Sequence, residues 1–165
     1  MSTARNLSLP LLLLGGLLAG CGDSGPEFTD PLRALRDANA ALVAGDSATC
    51  QAGYEYAIEH GEGETHFKAL LGLGKFFAPQ DADRAAELFR RLADEHPDLY
   101  DAHTAQKVIQ AWIDAGRTDL ALEALKAAAD RFPDDKDLFS PQAEAIQAKE
   151  AGAAADLSDL GYVGD

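Results

Sequence analysis

The sequence predicts an all-α fold, a short α-solenoid of about three helix pairs closed by a C-terminal capping helix. Three observations predict it. Alanine, leucine, glutamate, aspartate and arginine dominate the 165 residues, whereas valine, isoleucine and threonine are scarce, which favours helix over strand. From Asp30 onward the apolar spacing reads helix, short break, helix. Finally, Ala85, Phe89 and Pro97 return as Ala121, Leu125 and Pro133, and Phe76 returns as Trp112, each 36 residues later. One offset shared by four positions is a repeat, and a period of this size with paired helices is the mark of a helical solenoid.

Taken in order, Asp30-Pro31 sets a capping carboxylate before a proline at the first helical position. The helix that follows places Leu32, Leu35, Leu42 and Val43 on one face. A break at Gly45-Asp46 leads into a second helix with Cys50, Tyr54, Ala57 and Ile58 inward, and Gly61 to Glu64 ends it. The third helix runs from about Thr65. Its Phe67, Leu70, Leu71, Leu73, Phe76 and Phe77 make it the most apolar after the leader, so burial on more than one side is expected. Ala78-Pro79-Gln80 breaks it, and Asp83 to Glu95 follows as an amphipathic helix that stops before Pro97. A third pair starts near Tyr100 with Val108, Ile109, Trp112 and Ile113 inward. Gly116 breaks it, and Leu120 to Arg131 stops before Pro133. Ser140-Pro141 opens a further helix to about Ala151, with Phe139, Ala143 and Ile146 available to cap the last pair.

The first residues have a different logic. Met1 to Asn6 carries Arg5 and the amino terminus as positive charge, and Leu7 to Leu18 is leucine-rich without a charge. Leu18-Ala19-Gly20-Cys21 follows, completing the order of an export signal. The apolar run is shorter than the roughly 20 residues of a membrane-spanning helix. The tetrapeptide resembles the lipobox of bacterial lipoproteins. That resemblance implies cleavage before Cys21, diacylglycerol on its sulfur and usually an acyl chain on the new amino terminus. Two or more chains hold a bilayer stably where one does so only marginally. Gly22, rather than an aspartate, after the cysteine points toward the outer membrane. Residues 1–20 are therefore expected to be a signal peptide, 21–29 a lipidated cysteine with a flexible tether, 30–151 the helical repeat domain and 152–165 a flexible tail.

The formal net charge is −14. Beyond the leader the chain holds 13 basic and 28 acidic residues, a net charge of −15. Such a surface repels phosphate backbones and anionic headgroups alike, so no nucleic-acid partner is expected and membrane attachment falls to the lipid on Cys21. If Cys21 is lipidated, Cys50 has no partner within the chain, and it sits where the repeat wants a small inward residue.

The repeats resemble the tetratricopeptide family. Leu73-Gly74-Lys75-Phe76-Phe77 is similar to its Leu-Gly-x-x-aromatic element. Ala85-Ala86-Glu87-Leu88-Phe89 with Pro97 is similar to its Ala-x-x-x-Phe element and closing proline. Gly116, Ala121, Leu125, Ala128 and Pro133 follow the second-helix pattern, while Ile109 and Gln80 depart from it and the pair at 31–60 is degenerate. In that family the first helix of each pair lines a groove that holds a peptide or a helix of another protein. The family's register implies His103, Gln106, Gln110 and Asp114 as partner-binding residues, with Phe67 and Leu70 nearby.

No local motif brings together a nucleophile, a base or a phosphate-binding loop, so no enzyme, cofactor or small-molecule substrate is expected. His60, Glu62, Glu64 and His66 are ligand types, yet the glycines among them read as a polar inter-repeat loop, and Asp134, Asp135 and Asp137 read as a solvated turn; no metal is expected. His96 beside Pro97 reads as a helix end. Leu157-Ser158-Asp159-Leu160-Gly161-Tyr162-Val163 is too apolar for a plain linker and is expected to dock on the capping helix or on a partner. The functional expectation is a lipid-anchored scaffold that binds an unknown envelope protein at the outer membrane, facing the periplasm. A periplasmic chaperone-like module with broad client binding is the alternative.

Overall fold

Aspartates start four of the six hairpin helices. In the computed structural model, which describes residues 26–149 and 154–162, the side chains of Asp30, Asp46, Asp81 and Asp101 each accept the backbone N–H three residues on, at 2.6, 3.1, 3.1 and 2.8 Å. These bonds satisfy amide donors left over by the first turn. They open α1 (Pro31–Ala44), α2 (Ser47–His60), α4 (Ala82–Glu95) and α5 (Ala102–Asp114). Two helices start without such a cap, α3 (Gly63–Phe77) and α6 (Thr118–Arg131). The chain folds as three antiparallel hairpins, α1/α2, α3/α4 and α5/α6, as the sequence predicts.

The hairpin turns use two solutions. Gly45 (φ 76°) and Gly116 (φ 73°) take the left-handed conformation, and the next residue returns its N–H to a carbonyl five back: Asp46 to Ala41 and Arg117 to Trp112, both at 2.9 Å. At Gln80 there is no glycine and no positive φ. There the Gln80 side chain donates to the carbonyl of Phe76 at 2.8 Å, and the amides of Gln80 and Asp81 both reach Phe77. The connection between α2 and α3 is shorter than the sequence suggests, because Gly63 and Glu64 already belong to α3.

Small residues set how closely the helices approach. α1 buries Ala34, Leu35, Ala38 and Ala41, whereas Leu32, Leu42 and Val43 of the expected face are exposed, Val43 by 90%. The alanine stripe wins because Gly53 of α2 lies directly on it; a Cβ there would stand 2.9 Å from the Ala34 carbonyl oxygen. α3 is buried on two sides, as expected. Gly72 receives the Tyr54 ring from α2, and Gly74 receives the Phe89 ring from α4. Phe89 meets Trp112 edge to face at 5.4 Å, tying the second hairpin to the third. The repeat positions Ala85, Phe89, Phe76 and their counterparts Ala121, Leu125, Trp112 are all buried.

The end of the solenoid is covered. Pro133–Phe139 forms a 3-10 turn rather than an open loop, with Phe139 fully buried. α7 (Ser140–Lys149) packs on α5 and α6 through Gln142, Ala143 and Ile146. Lys149 donates to the last-turn carbonyl of Ile113 at 2.8 Å. Of the two expectations for the tail, flexibility and docking, its described part takes the second. α8 (Ala154–Asp159) buries Leu157 completely, and Asp156 pairs with Lys126 of α6 at 2.8 Å. Among the described residues there is no strand, and no helix is long and apolar enough to cross a membrane.

Candidate interaction groove

The first helices of the hairpins touch in succession, α1 with α3 and α3 with α5. Their shared outer face holds two adjoining recesses. Asn39, Leu42, Lys68, Leu71, Gly72 and Lys75 line one of about 230 Å³, with Tyr54 at its base. Lys75, Pro79, Ala111, Asp114 and Ala115 line the second, about 140 Å³. Lys75 stands in both, so the two recesses adjoin and mark out a shallow channel across α1, α3 and α5.

The channel floor is polar but satisfied. The Tyr54 hydroxyl donates to Oδ1 of Asn39 at 2.8 Å, and the Asn39 amide donates to the Leu35 carbonyl at 2.7 Å. Burial, with Cys50 adding a smaller push, raises the Tyr54 phenol to about 12, so the hydroxyl stays a donor at neutral pH. Cys50 itself is buried and free, its thiol pushed up by burial and by Asp46. The walls are mixed. Leu42 is 43% exposed and Leu71 half-buried, which offers apolar contact. Lys68 pairs with Glu64 at 2.8 Å, while Lys75 has no ion pair among the described residues. The recesses are thus part-apolar and of mixed charge, with Lys75 the cation that has no ion pair among the described residues and Asp114 in the second recess.

The residues expected from the family's register are distributed differently. Phe67 and Leu70 are core, 9% and 0% exposed, because α3 turns them toward its neighbours and turns Lys68, Leu71 and Lys75 outward. Gln106 donates to the Leu138 carbonyl (2.9 Å) and to Gln142 (3.2 Å), and Gln142 donates to Gln110 (3.3 Å). α7 therefore occupies these two amides, lying on α5 as a further first helix would. Asp114 accepts from Gln110 at 2.8 Å and does line the second recess. His103 is exposed at the start of α5, outside both. The residues missed were Asn39, Leu42, Lys68, Leu71 and Lys75. The 36-residue offset was the available signal, since it carries Ala111, next to the expected Gln110, back onto Lys75. Cys21 and the leader lie outside the described residues.

A second grouping was not visible in sequence. His66, on the second turn of α3, meets His96, the residue that ends α4. Nδ1 of His66 and Nε2 of His96 share a hydrogen bond of 2.7 Å, and Oε2 of Glu95 lies 3.7 Å from Nε2 of His66. Phe67 packs edge-on against His96 at 5.7 Å. Burial, and then the neighbouring His96, hold the His66 imidazole below its ordinary range. The hydrogen bond from Arg91 at 2.6 Å lowers the Glu95 carboxyl. His60, Glu62 and Glu64 do not join the group: His60 packs on Tyr56 and Glu64 pairs with Lys68. His66 and His96 are 30 residues apart, so only the fold brings them together.

Residues 68–99 match the family model for the tetratricopeptide repeat. The matched stretch begins within α3, includes all of α4 and ends in the loop after it, so it is the middle hairpin that carries the repeat's pattern. No curated protein and no solved structure matches the chain. Tetratricopeptide repeats generally mediate protein–protein interaction.

Proposed function

We propose that the protein is a lipid-anchored interaction scaffold of the bacterial cell envelope, holding a peptide or a helix of a partner protein in the channel across α1, α3 and α5. The observation that carries this reading is the exposed combination of Leu42, Leu71, Lys68 and Lys75 on a solenoid whose middle hairpin matches a protein-binding repeat. Apolar contacts supply the affinity and the lysines orient an acidic or carbonyl-rich segment. Three hairpins offer a short channel, so modest affinity is expected unless the partner makes a second contact.

The anchor comes from the leader pattern ending in Leu18-Ala19-Gly20-Cys21, and Gly22 favours the outer membrane. The tether is shorter than it reads in sequence. Phe28 packs under Gly53 and against Tyr56, with ring centres 5.7 Å apart, so the chain is already held by α2 at Phe28. Four residues separate Cys21 from Pro26, five steps along the chain and a reach of at most about 18 Å. The α1/α2 end would thus stand close to the bilayer, and a partner in the channel would be presented near the membrane surface.

Photo-crosslinking in native envelopes tests this. A crosslinker placed at Leu71 or Lys75 of the full-length protein should capture one defined protein, and Lys75→Glu should weaken that capture. A crosslinker at Glu87, on the opposite face of the middle hairpin, should not capture it. Equal products from both faces, or none from the channel, would remove the reading.

A further inference from the structure

We propose that His66, His96 and Glu95 form a binding site for a divalent transition-metal ion of the zinc class, joining the start of α3 to the end of α4. The case begins with geometry. One ligand atom from each residue lies within 4.8 Å of those of the other two. Tetrahedral bonds of about 2.0–2.1 Å set ligand atoms roughly 3.3 Å apart. The facing nitrogens, Nδ1 of His66 and Nε2 of His96, are now 2.7 Å apart and need only separate slightly, whereas the Glu95 carboxylate, now 3.7 Å from Nε2 of His66, must swing round to the His96 side of that ring. Glu95 is 40% exposed and can swing, while His66 is only 13% exposed and is fixed by its packing.

The donor set selects the ion. Two imidazole nitrogens and one carboxylate oxygen suit Zn²⁺ and the late first-row divalent ions, whereas Mg²⁺ and Ca²⁺ favour oxygen ligands throughout. In the hydrogen-bonded pair, one ring lends an N–H to the other's lone pair. When the ion enters, both lone pairs face it, and the donating ring carries its proton on its other nitrogen. No proton has to leave the site.

The surroundings are those of a held site. Arg91 donates to both oxygens of Glu95, to Oε1 at 2.6 Å and more loosely to Oε2 at 3.3 Å, and Oε2 is the oxygen on the His66 side. A partner of this kind orients a ligating carboxylate from outside. Phe67 steadies the His96 ring. Three protein ligands leave one position open to water or to a group from a bound protein. The ion would fasten the two ends of the middle hairpin, beside the link from α2.

Titration of ZnCl₂ into the full-length, tag-free protein, kept in detergent and stripped with a chelator beforehand, is the test. Calorimetry should give one saturable ion per chain, and the melting temperature should rise with ZnCl₂ but not with MgCl₂, since an ion that binds only the folded state stabilises it. His66→Gln and His96→Gln should each lower the affinity by about tenfold or more, as loss of a direct ligand requires. Both variants should keep the wild-type far-ultraviolet circular dichroism, and His103→Gln should bind as the wild type does. Absence of saturable Zn²⁺ binding overturns the proposal. So does undiminished binding by the two histidine variants, which would put the ion on the other acids, or an equal rise with MgCl₂.

Discussion

At the scale of single residues, two glycines decide how α3 sits between its neighbours. Gly72 and Gly74 lie inside a helix, where glycine costs roughly 1 kcal/mol against alanine, so each needs a packing reason. The reason is a ring: Tyr54 rests on Gly72 and Phe89 on Gly74, where an added Cβ would stand 2.5 Å from the ring of Phe89. Tyr54 cannot retreat, being 1% exposed and tied through its hydroxyl to Asn39. Gly72→Ala is therefore expected to lower stability by about 1–3 kcal/mol, the usual cost of overpacking, despite the gain in helix propensity. Urea unfolding of the variant beside wild type reads this directly; an unchanged midpoint would mean that α2 and α3 do not approach so closely. The sequence shows Gly74 within a Leu-Gly-x-x-aromatic pattern, but nothing near Gly72 announces Tyr54, which is 18 residues away. The same limit hid His96 from His66 and Tyr54 from Asn39.

At the scale of elements, the order, number and breaks of the helices were legible, because caps, prolines and apolar periodicity are local. Asp30-Pro31, Gly45, Gly116 and the halts before Pro97 and Pro133 all do in the fold what their chemistry suggests. Helix faces were less legible. In α1 the leucines attract attention, yet the alanines at 34, 38 and 41 are buried, since close backbone approach to Gly53 excludes larger side chains. The amides of α5 that the family's register points to bond within the chain, Gln106 to Leu138 and to Gln142 of α7, and Gln110 to Gln142, across 32 and 36 residues. The tail depends on fewer contacts still. α8 has six residues, too few to hold a helix alone. Leu157 is its fully buried side chain, and the Tyr162 hydroxyl is buried with no partner among the described residues, a cost of about 1–3 kcal/mol. Leu157→Ala is expected to release residues 154–162 to fast hydrogen exchange while α1 to α6 keep their protection. Tyr162→Phe, which removes the unpartnered hydroxyl, should slow exchange in the same segment. Loss of protection throughout the solenoid on Leu157→Ala would instead make the tail part of the cooperative core.

At the scale of the whole molecule, the proposed anchoring rests on what each part of the chain can do at a bilayer. The apolar run Leu7 to Leu18 has 12 residues, about 18 Å as a helix against a hydrocarbon core of about 30 Å. It can direct export but is too short to remain as a stable span. The domain beyond it, with its net charge of −15, is repelled by anionic headgroups. None of its described helices is long and apolar enough to cross. The lysines that do gather, Lys68 and Lys75, lie in the channel with leucines, a pattern that suits a protein segment. On the proposed reading, attachment falls to acyl chains on Cys21, each buried methylene contributing about 0.8 kcal/mol. Cys21→Ser should move the protein from the membrane pellet to the soluble fraction, while circular dichroism of the released protein retains the helical signal of wild type. The wild-type protein should stay in the pellet through a high-salt wash and leave it with detergent, because salt screens charge without weakening the burial of acyl chains. A Cys21→Ser protein that remains in the pellet after the same wash would require another attachment, and the short-tether placement of the channel beside the bilayer would lose its basis with it.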